Sequence, residues 1–205
     1  RDRNNKEFSF PAVHWQLNAG FWNDYDPRDF QQWAEENYNP SIRRLVKFWV
    51  KEMKERGRVL KLYPFLGITK SLLDGKPSLL RCGAGWANYA IQTDGQIIPC
   101  PSMWGTRKFY LGNIKNSDPT HLPKIFVGER CRSCEIYSLC GGRCLYANVF
   151  QRWEPEAYRV VCNTVKNLVK SLEQALPKIK ELIARKAISK KDFEFMEFNG
   201  CEIIP

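Results

Sequence analysis

The first 80 residues combine two spacings of apolar positions. Between residues 10 and 19, apolar and polar side chains alternate one for one, which is typical of a strand with one buried face. Residues 59–65 predict a second strand. The alternation of the first strand divides six residues between its two faces, with Val13, Trp15 and Leu17 on one and His14, Gln16 and Asn18 on the other.

Three helices are predicted around these strands. One begins near Pro27 and places Phe30 and Trp33 on one face; a longer one covers about residues 40–56, and a short one covers residues 68–73. The apolar stripe of the longer helix consists of Ile42, Leu45, Val46, Trp49 and Met53. Strand, helices, strand and helix form a βα pattern, and two such units cannot close a barrel. We therefore expect a piece of a larger domain.

The second half of the chain has a different pattern. Residues 89–100 predict a β-hairpin, because Asp94-Gly95 is a strong turn signal between apolar runs. From about Pro155 a helical apolar stripe begins, is interrupted at Pro177 and then resumes. Residues 189–205 are expected to form a peripheral tail. Together these elements predict the α+β class.

Charge and composition narrow the function classes. The net charge of +10 is spread along the chain without a dense Lys/Arg block, which favours a basic, soluble surface over a nucleic-acid interface. No apolar run reaches the roughly 18–20 residues of a membrane span. The chain begins with Arg1 rather than Met and has no visible export signal, so we expect the C-terminal part of a longer protein. Clustered thiols suit metal binding in a reducing cytoplasm better than disulfides.

Seven of the eight cysteines lie between residues 82 and 162. They follow the order Cys82, Cys100, Cys131-x2-Cys134-x5-Cys140-x3-Cys144 and Cys162. Structural zinc would use four of them as two short pairs and leave three over. Two iron–sulfur clusters accommodate the number better, because the last cysteine of a run can serve the other cluster. That crossing would group Cys144 with Cys82 and Cys100, and leave the other four as a complete set.

These residues carry a family resemblance. The Cys82-Gly-Ala-Gly start, the Asp94-Gly95 hairpin ending at Cys100, the Leu111-Gly112-Asn113-Ile114 step, the dense cysteine run and the trailing Cys162 resemble the SPASM domain. That domain is the C-terminal extension of radical SAM enzymes that modify peptides and proteins. The resemblance implies the last βα units of a partial TIM-type barrel at residues 1–80, an iron–sulfur domain at 81–165, and a C-terminal helix and tail at 166–205.

The resemblance also implies ligands and partners. Two auxiliary [4Fe-4S] clusters are expected, serving electron transfer or substrate binding. The first would be held by Cys82, Cys100 and Cys144. The second would be held by Cys131, Cys134, Cys140 and Cys162. S-adenosylmethionine and a third [4Fe-4S] cluster would belong only to the full-length enzyme. A peptide or protein substrate and an electron donor such as a flavodoxin or ferredoxin would be its partners, and no membrane is expected to be.

The sequence departs from the family pattern at three places. No thiol precedes Cys82 within residues 77–81, so the first cluster would keep one iron open unless a distant group such as Cys201 filled the position. Pro101 follows Cys100, where sulfatase-maturing members carry an acidic proton acceptor. The Cys-x3-Cys-x2-Cys motif of the catalytic cluster does not occur in this sequence. We expect that motif before Arg1, and no cleavage of S-adenosylmethionine by this piece alone.

Several polar residues are further candidates for the site. His14, Gln16 and Asn18 would face the lumen of the barrel, where cofactor and substrate sit; a polar strand edge is the alternative. Three arginines lie among the cysteines and could stabilise anionic clusters or simply be solvated. They are Arg130, Arg132 and Arg143. A zinc-stabilised module that binds nucleic acid or protein remains the competing hypothesis for the whole chain.

Overall fold

The computed structural model of the chain describes residues 10–17, 26–150, 154–198 and 204–205. Within these ranges it combines α-helices with one small antiparallel sheet, which agrees with the α+β prediction at that level. The helices are α1 Pro27–Trp33, α2 Asn39–Arg56, α3 Tyr63–Asp74, α4 Glu129–Arg132, α5 Tyr137–Cys140, α6 Leu145–Phe150 and α7 Pro155–Ala184. The strands are β1 Ala90–Ile91, β2 Gln96–Ile98 and β3 Gly112–Asn113.

Helices α1 and α2 form where the apolar stripes predicted them. The Asp26 side chain accepts a hydrogen bond from the Arg28 backbone N–H and so caps α1, which has Pro27 in its first turn. A π-helical segment, Ala34–Tyr38, joins α1 to α2 without a break. Gly57, in the left-handed conformation with φ of 58°, ends α2.

The two predicted strands of the first 80 residues are largely absent from the described part of the chain. In their place, the structure has one isolated parallel β-bridge, between Val13 and Leu62. The Val13 N–H donates to the Lys61 carbonyl at 2.8 Å, and the Tyr63 N–H donates to the Val13 carbonyl at 3.0 Å. The strand prediction for residues 59–65 is wrong beyond Leu62, because Pro64 in the first turn starts α3 there. The partial barrel therefore stays a prediction.

The sheet lies in the segment where the hairpin was predicted. Strands β1 and β2 are antiparallel, with Ala90 opposite Ile98 and Ile91 opposite Ile97. Between them the chain reverses through a turn in which Gly95 has a φ of 86°. The prediction placed the turn at Asp94-Gly95, and a left-handed glycine at this position is the geometry that such a turn requires. Strand β3 extends the sheet beside β2.

Helix α7 corrects one sequence prediction. It runs unbroken from Pro155 to Ala184 with Pro177 inside it, so the predicted interruption is wrong. A proline in a helix interior loses one backbone hydrogen bond and costs about 3 kcal/mol. The buried side chains on both sides of it, Leu172 and Ile179, supply packing that offsets this cost. The helix also crosses the predicted boundary between residues 165 and 166.

The C-terminal residues are not a peripheral tail where the structure describes them. Phe193 and Ile204 are each 1% exposed and belong to the main core. The Phe193 ring meets the Trp49 ring edge-on, with centroids 5.9 Å apart. The Lys61 Nζ atom donates to the carbonyls of Asp192, at 2.6 Å, and Glu194, at 3.0 Å. With only two buried apolar side chains, this polar segment has no clear hydrophobic periodicity, so its burial could not be predicted from the sequence.

One core connects the helical first part to the cysteine-containing part. Trp49 is fully buried at its centre and packs edge-on against Phe65, and its indole N–H donates to the Leu60 carbonyl at 2.9 Å. Cys140 and Ile136 belong to the same core as the apolar stripe of α7. The segment that carries Cys140 is therefore fixed to the helices by apolar packing, whereas Cys82 and Cys100 pack against a separate cluster that includes Met103 and Leu145. Among the described residues, no helix is long and apolar enough to cross a membrane.

Candidate metal centre

Three cysteines from separate parts of the chain meet at one place. Cys82 lies in a turn before the sheet, Cys100 follows β2, and Cys144 precedes α6. Burial, together with repulsion from Cys100 and Cys144, raises the pKa of Cys82 to about 11. Burial also raises the pKa of Cys100, with a contribution from Cys144. The three thiols that the sequence grouped are thus near enough to interact electrostatically.

The other four cysteines form a second group. They come from α4 (Cys131), from the turn after it (Cys134), from α5 (Cys140) and from α7 (Cys162). Burial and repulsion from the other three thiols raise the pKa of Cys162 to about 11. Burial and repulsion from Cys140 and Cys134 raise the pKa of Cys131. We call the two groups the first thiol set and the second thiol set.

A tight turn separates the two sets between Cys140 and Cys144. Its residues Gly141, Gly142 and Arg143 have φ values of 70°, 102° and 42°, so the chain cannot continue as a helix. A Cβ atom on Gly141 would lie 2.0 Å from the Leu79 carbonyl oxygen, which leaves room only for glycine. In a helix, residues four apart share one face. The turn instead sends Cys144 towards the first set and leaves Cys140 in the second.

The second set surrounds a cavity of about 70 Å³. All four of its cysteines line this cavity, and Cys144 lines it too. Cys144 therefore lies between the two sets rather than apart from the second. Apolar side chains, including Ile136, Val161 and Val165, form most of the remaining wall. Burial against these apolar walls disfavours the charged thiolate, which accounts for the raised thiol pKa values.

Hydrogen-bond donors point at the sulfur atoms of both sets. In the first set, backbone N–H groups donate to Cys82 from Ala84, to Cys100 from Ser102, and to Cys144 Sγ from Ala147 at 3.5 Å. In the second set, Cys140 accepts from the backbone of Gly142 and Arg143. Such donors stabilise thiolates and tune the potential of a bound cluster.

Asn148 is a residue that sequence reasoning missed. Its Nδ2 atom donates to Cys131 Sγ at 3.2 Å, while its Oδ1 atom accepts from the Gly128 N–H at 2.6 Å. It therefore ties α6 to the loop that precedes α4. Its position four residues after Cys144 could have signalled a role, had helix α6 been predicted.

The three arginines among the cysteines differ in their surroundings. Arg143 lines the cavity, and its charge interacts with Cys144 of the first set and with Cys140 and Cys162 of the second. Arg130 also lines the cavity and lies over the Tyr158 ring, 4.6 Å from its centroid. Arg132 is half-exposed and pairs with Glu129 at 3.3 Å. Arg143 and Arg130 are thus placed to balance negative charge in the cavity, and Arg132 is on the surface.

The donor atoms fit an iron–sulfur cluster. Both groups consist of thiols alone, and the second encloses a cavity with mainly apolar walls. In the part of the chain that is described, no three His, Cys, Asp or Glu side chains converge closely enough to hold a single metal ion. Four zinc-bound sulfurs would lie about 4 Å from one another. A larger inorganic core requires wider spacing between its thiolates.

The predicted lumen residues give a mixed picture. His14 is half-buried, and its Nδ1 atom is buried without a hydrogen-bond partner among the described residues. Gln16 is exposed. Asn18 lies outside the described residues, as does Cys201. A role of His14 and Gln16 in cofactor binding stays a prediction.

The remaining histidine and two tryptophans lie in different surroundings. His121 is exposed, and its Nδ1 atom lies 2.7 Å from Asp118 Oδ2 in a loop. Trp86 packs beside Cys82 and Cys100, and its indole N–H donates to the Leu80 carbonyl at 3.0 Å. Trp104 is 75% exposed.

Comparison with protein families identifies one domain. Residues 82–145 match the model of the SPASM family, described as an iron–sulfur cluster-binding domain. The match contains six of the seven clustered cysteines, and Cys162 follows it. No curated protein sequence matches the chain significantly.

Solved structures of anSMEcpe share a fold with this chain. Native anSMEcpe with bound AdoMet and Cp18Cys peptide has 22% sequence identity and a TM-score of 0.50, over 86% of this chain and 48% of that one. A histidine-tagged form of anSMEcpe with bound AdoMet has 21% identity and a TM-score of 0.50, over 86% and 46%. The chain therefore spans about half the length of these structures. The likeness establishes a shared fold.

Proposed function

We propose that this chain is the iron–sulfur-binding segment of an enzyme that modifies a peptide or protein. Its SPASM domain and its match to the C-terminal part of a radical SAM enzyme support this proposal. The first thiol set would hold one [4Fe-4S] cluster and the second thiol set another. These clusters would supply electron transfer or a binding point for substrate.

The gathering of seven thiols into two adjoining groups, with Cys144 between them, carries this proposal. Thiols from opposite ends of the SPASM domain come together in the first set, and α7 adds Cys162 to the second. A single four-coordinate ion could not use seven thiols. Two clusters could use all of them.

The residues of this chain would hold, orient and shield the clusters. The backbone N–H donors at Cys82, Cys100 and Cys140 would stabilise thiolates, and Asn148 would keep Cys131 in place. The charge of Arg143, between the sets, would offset part of the negative charge of both. The apolar wall of the cavity would keep water away from the second cluster.

The first set contains three thiols, which would leave one position for a further ligand. A peptide group or water could occupy it, and this is how the site would contribute to substrate binding. The structure of anSMEcpe holds the Cp18Cys peptide, which supports a peptide as the class of substrate. An electron donor such as a flavodoxin or ferredoxin, and a cytoplasmic setting, are part of the same proposal.

The chemistry of sulfatase maturation is not part of the proposal. Pro101 follows Cys100, and a proline has no side chain that could accept a proton. The Cys-x3-Cys-x2-Cys motif is also absent from this sequence. We therefore expect the 205-residue chain by itself to leave S-adenosylmethionine intact.

Metal analysis of anaerobically purified protein tests the proposal. The loaded chain should be brown, absorb at about 400 nm and contain about eight irons with matching sulfide. C100A and C134A should each lose about half of the iron, because each removes a ligand of a different set. A colourless chain with one or two zinc ions would instead favour the competing hypothesis, a zinc-stabilised binding module.

A further inference from the structure

The C-terminal residues 194–198 run across the molecule towards Cys82. We call them the C-terminal strap. At its start, the Lys61 ammonium donates to the Glu194 carbonyl at 3.0 Å. The Phe195 ring then meets the Tyr63 ring edge-on at 5.6 Å, and Glu197 pairs with Lys70 at 2.8 Å. The strap is thus anchored along α3.

The strap ends against the loop that carries Cys82. The Phe198 ring meets the Trp86 ring edge-on, with centroids 5.1 Å apart. A Cβ atom on Gly83 would lie 2.9 Å from Phe198 Cδ1, so glycine is needed for this close approach. The Asn88 Nδ2 atom donates to the Cys82 carbonyl at 3.2 Å and to the Phe198 carbonyl at 3.3 Å. One amide therefore links the strap to the backbone of Cys82.

The Cys82 loop depends on such contacts for its position. Residues 81–89 contain turns and one isolated bridge, so no strand or helix ladder holds them. The Gly85 N–H donates to the Pro99 carbonyl at 3.1 Å, and the Gly85 carbonyl accepts from the Ile125 N–H at 2.9 Å. These bonds attach the loop on the sheet side. On the Cys82 side, the Arg81 guanidinium donates to the Leu139 carbonyl at 2.9 Å and to Ser71 Oγ at 3.1 Å, and the strap adds a further contact. The second thiol set is held instead by α4, α5 and α7.

We propose that the C-terminal strap positions Cys82 relative to Cys100 and Cys144, so that Phe198 and Asn88 control the geometry of the first thiol set alone. Both are positioning residues, because they act through the backbone of Cys82 and do not touch the metal. The inference deepens the proposed function and rests on it. Without the strap, the Cys82 loop gains conformational freedom. Part of the free energy of metal binding is then consumed in ordering the loop, so the first thiol set binds its cluster more weakly.

The test compares F198A with M196A in the full chain, purified anaerobically. Met196 lies in the same strap and is 71% exposed, so M196A controls for the effect of truncating a side chain in this segment. We expect F198A to fall from about eight irons to about four, and M196A to keep about eight. N88S, which removes the bridging amide and keeps a small polar side chain, should weaken loading in the same direction.

Combining F198A with cysteine variants of either set shows which thiol set loses its iron. In C131A/C134A, which leaves only the first set, F198A should remove nearly all remaining iron. In C82A/C100A, which leaves only the second set, F198A should change neither the iron content nor the electron paramagnetic resonance spectrum. Unchanged iron and an unchanged spectrum of F198A and N88S would overturn the inference, as would equal losses from both sets. A wild-type chain without iron would instead overturn the proposed function.

Discussion

At the scale of single residues, burial decides the state of the thiols. Water is excluded around Cys82 and Cys162, and neighbouring thiols repel a negative charge there, so both remain protonated at neutral pH without metal. Metal binding must release these protons, because the thiolate is the ligand. The residues that make the sites suitable for metal thus make the metal-free protein sensitive to alkali.

The metal-free chain should lose stability as the pH rises from about 9 to about 11. The folded-state pKa of Cys82 and of Cys162 is about 11, above the ordinary value of 9.0. The unfolded thiols therefore ionise first, and the stabilising contribution that is complete below about pH 9 disappears as the pH passes through about 11. Thermal unfolding midpoints of the reduced, chelator-treated chain measure this.

The double variant C82A/C162A is the control for this pH dependence. Other groups, including lysines and tyrosines, titrate in the same range in both proteins, so only the difference between the two curves reports on the thiols. The variant should show a shallower fall of the midpoint. Parallel curves would contradict the assignment.

At the scale of elements, the turn after α5 separates two thiols, whereas the long helix α7 holds one thiol against the core. The turn of three left-handed residues ends α5 abruptly and parts Cys140 from Cys144. Helix α7 carries Cys162 and packs its apolar face on α2 and α3. The continuous buried face of α7 holds Cys162 in a fixed position. The same packing offsets the backbone hydrogen bond that is lost at Pro177.

Replacing Pro177 by alanine should stabilise the protein. Pro177 is exposed and lacks the N–H that would complete the helix ladder, and alanine restores the donor without altering the core. We expect the free energy of unfolding to rise by about 1–3 kcal/mol, measured by urea denaturation. K180A, another exposed position in α7, should stay within about 0.5 kcal/mol of wild type. A loss of stability in P177A would mean that the helix depends on the proline ring.

At the scale of the whole molecule, the main apolar cluster joins parts that the sequence suggested were separate. Trp49 and Phe65 from the first 80 residues, Cys140 from the thiol region and Phe193 from the C-terminal segment belong to one apolar cluster. Packing of this kind transmits a change at one side to the other. The second thiol set, which includes Cys140, is therefore expected to unfold together with the helices.

Truncating Phe193 tests this coupling. Because the ring is 1% exposed and packs on Trp49, F193A should lower the free energy of unfolding by about 3–5 kcal/mol. F48A, at a half-exposed position of α2, is the matched control and should cost much less. Far-ultraviolet circular dichroism and the iron absorbance should report the same midpoint in each protein. Separate midpoints would indicate independent parts.

The sequence alone determined the helices with strong apolar stripes, because the period of a stripe depends only on spacing along the chain. The spacing of the cysteines predicted two metal-binding groups. Helices α1 and α2 were predicted close to their observed bounds, and the SPASM resemblance was confirmed by the match at residues 82–145. The ligand sets themselves, which rest on that resemblance, stay predictions.

Only the tertiary structure decided the features that depend on contacts between distant residues. The segment at 59–65 had strand-like composition, yet Pro64 and the packing of α3 made part of it helical. The burial of Phe193 and Ile204, the bridge of Asn88 between Cys82 and Phe198, and the position of Cys144 between two thiol sets also leave no periodic trace in the sequence. Periodicity reports which face of one element is buried, whereas the partners of that face are chosen by the packing of the whole chain.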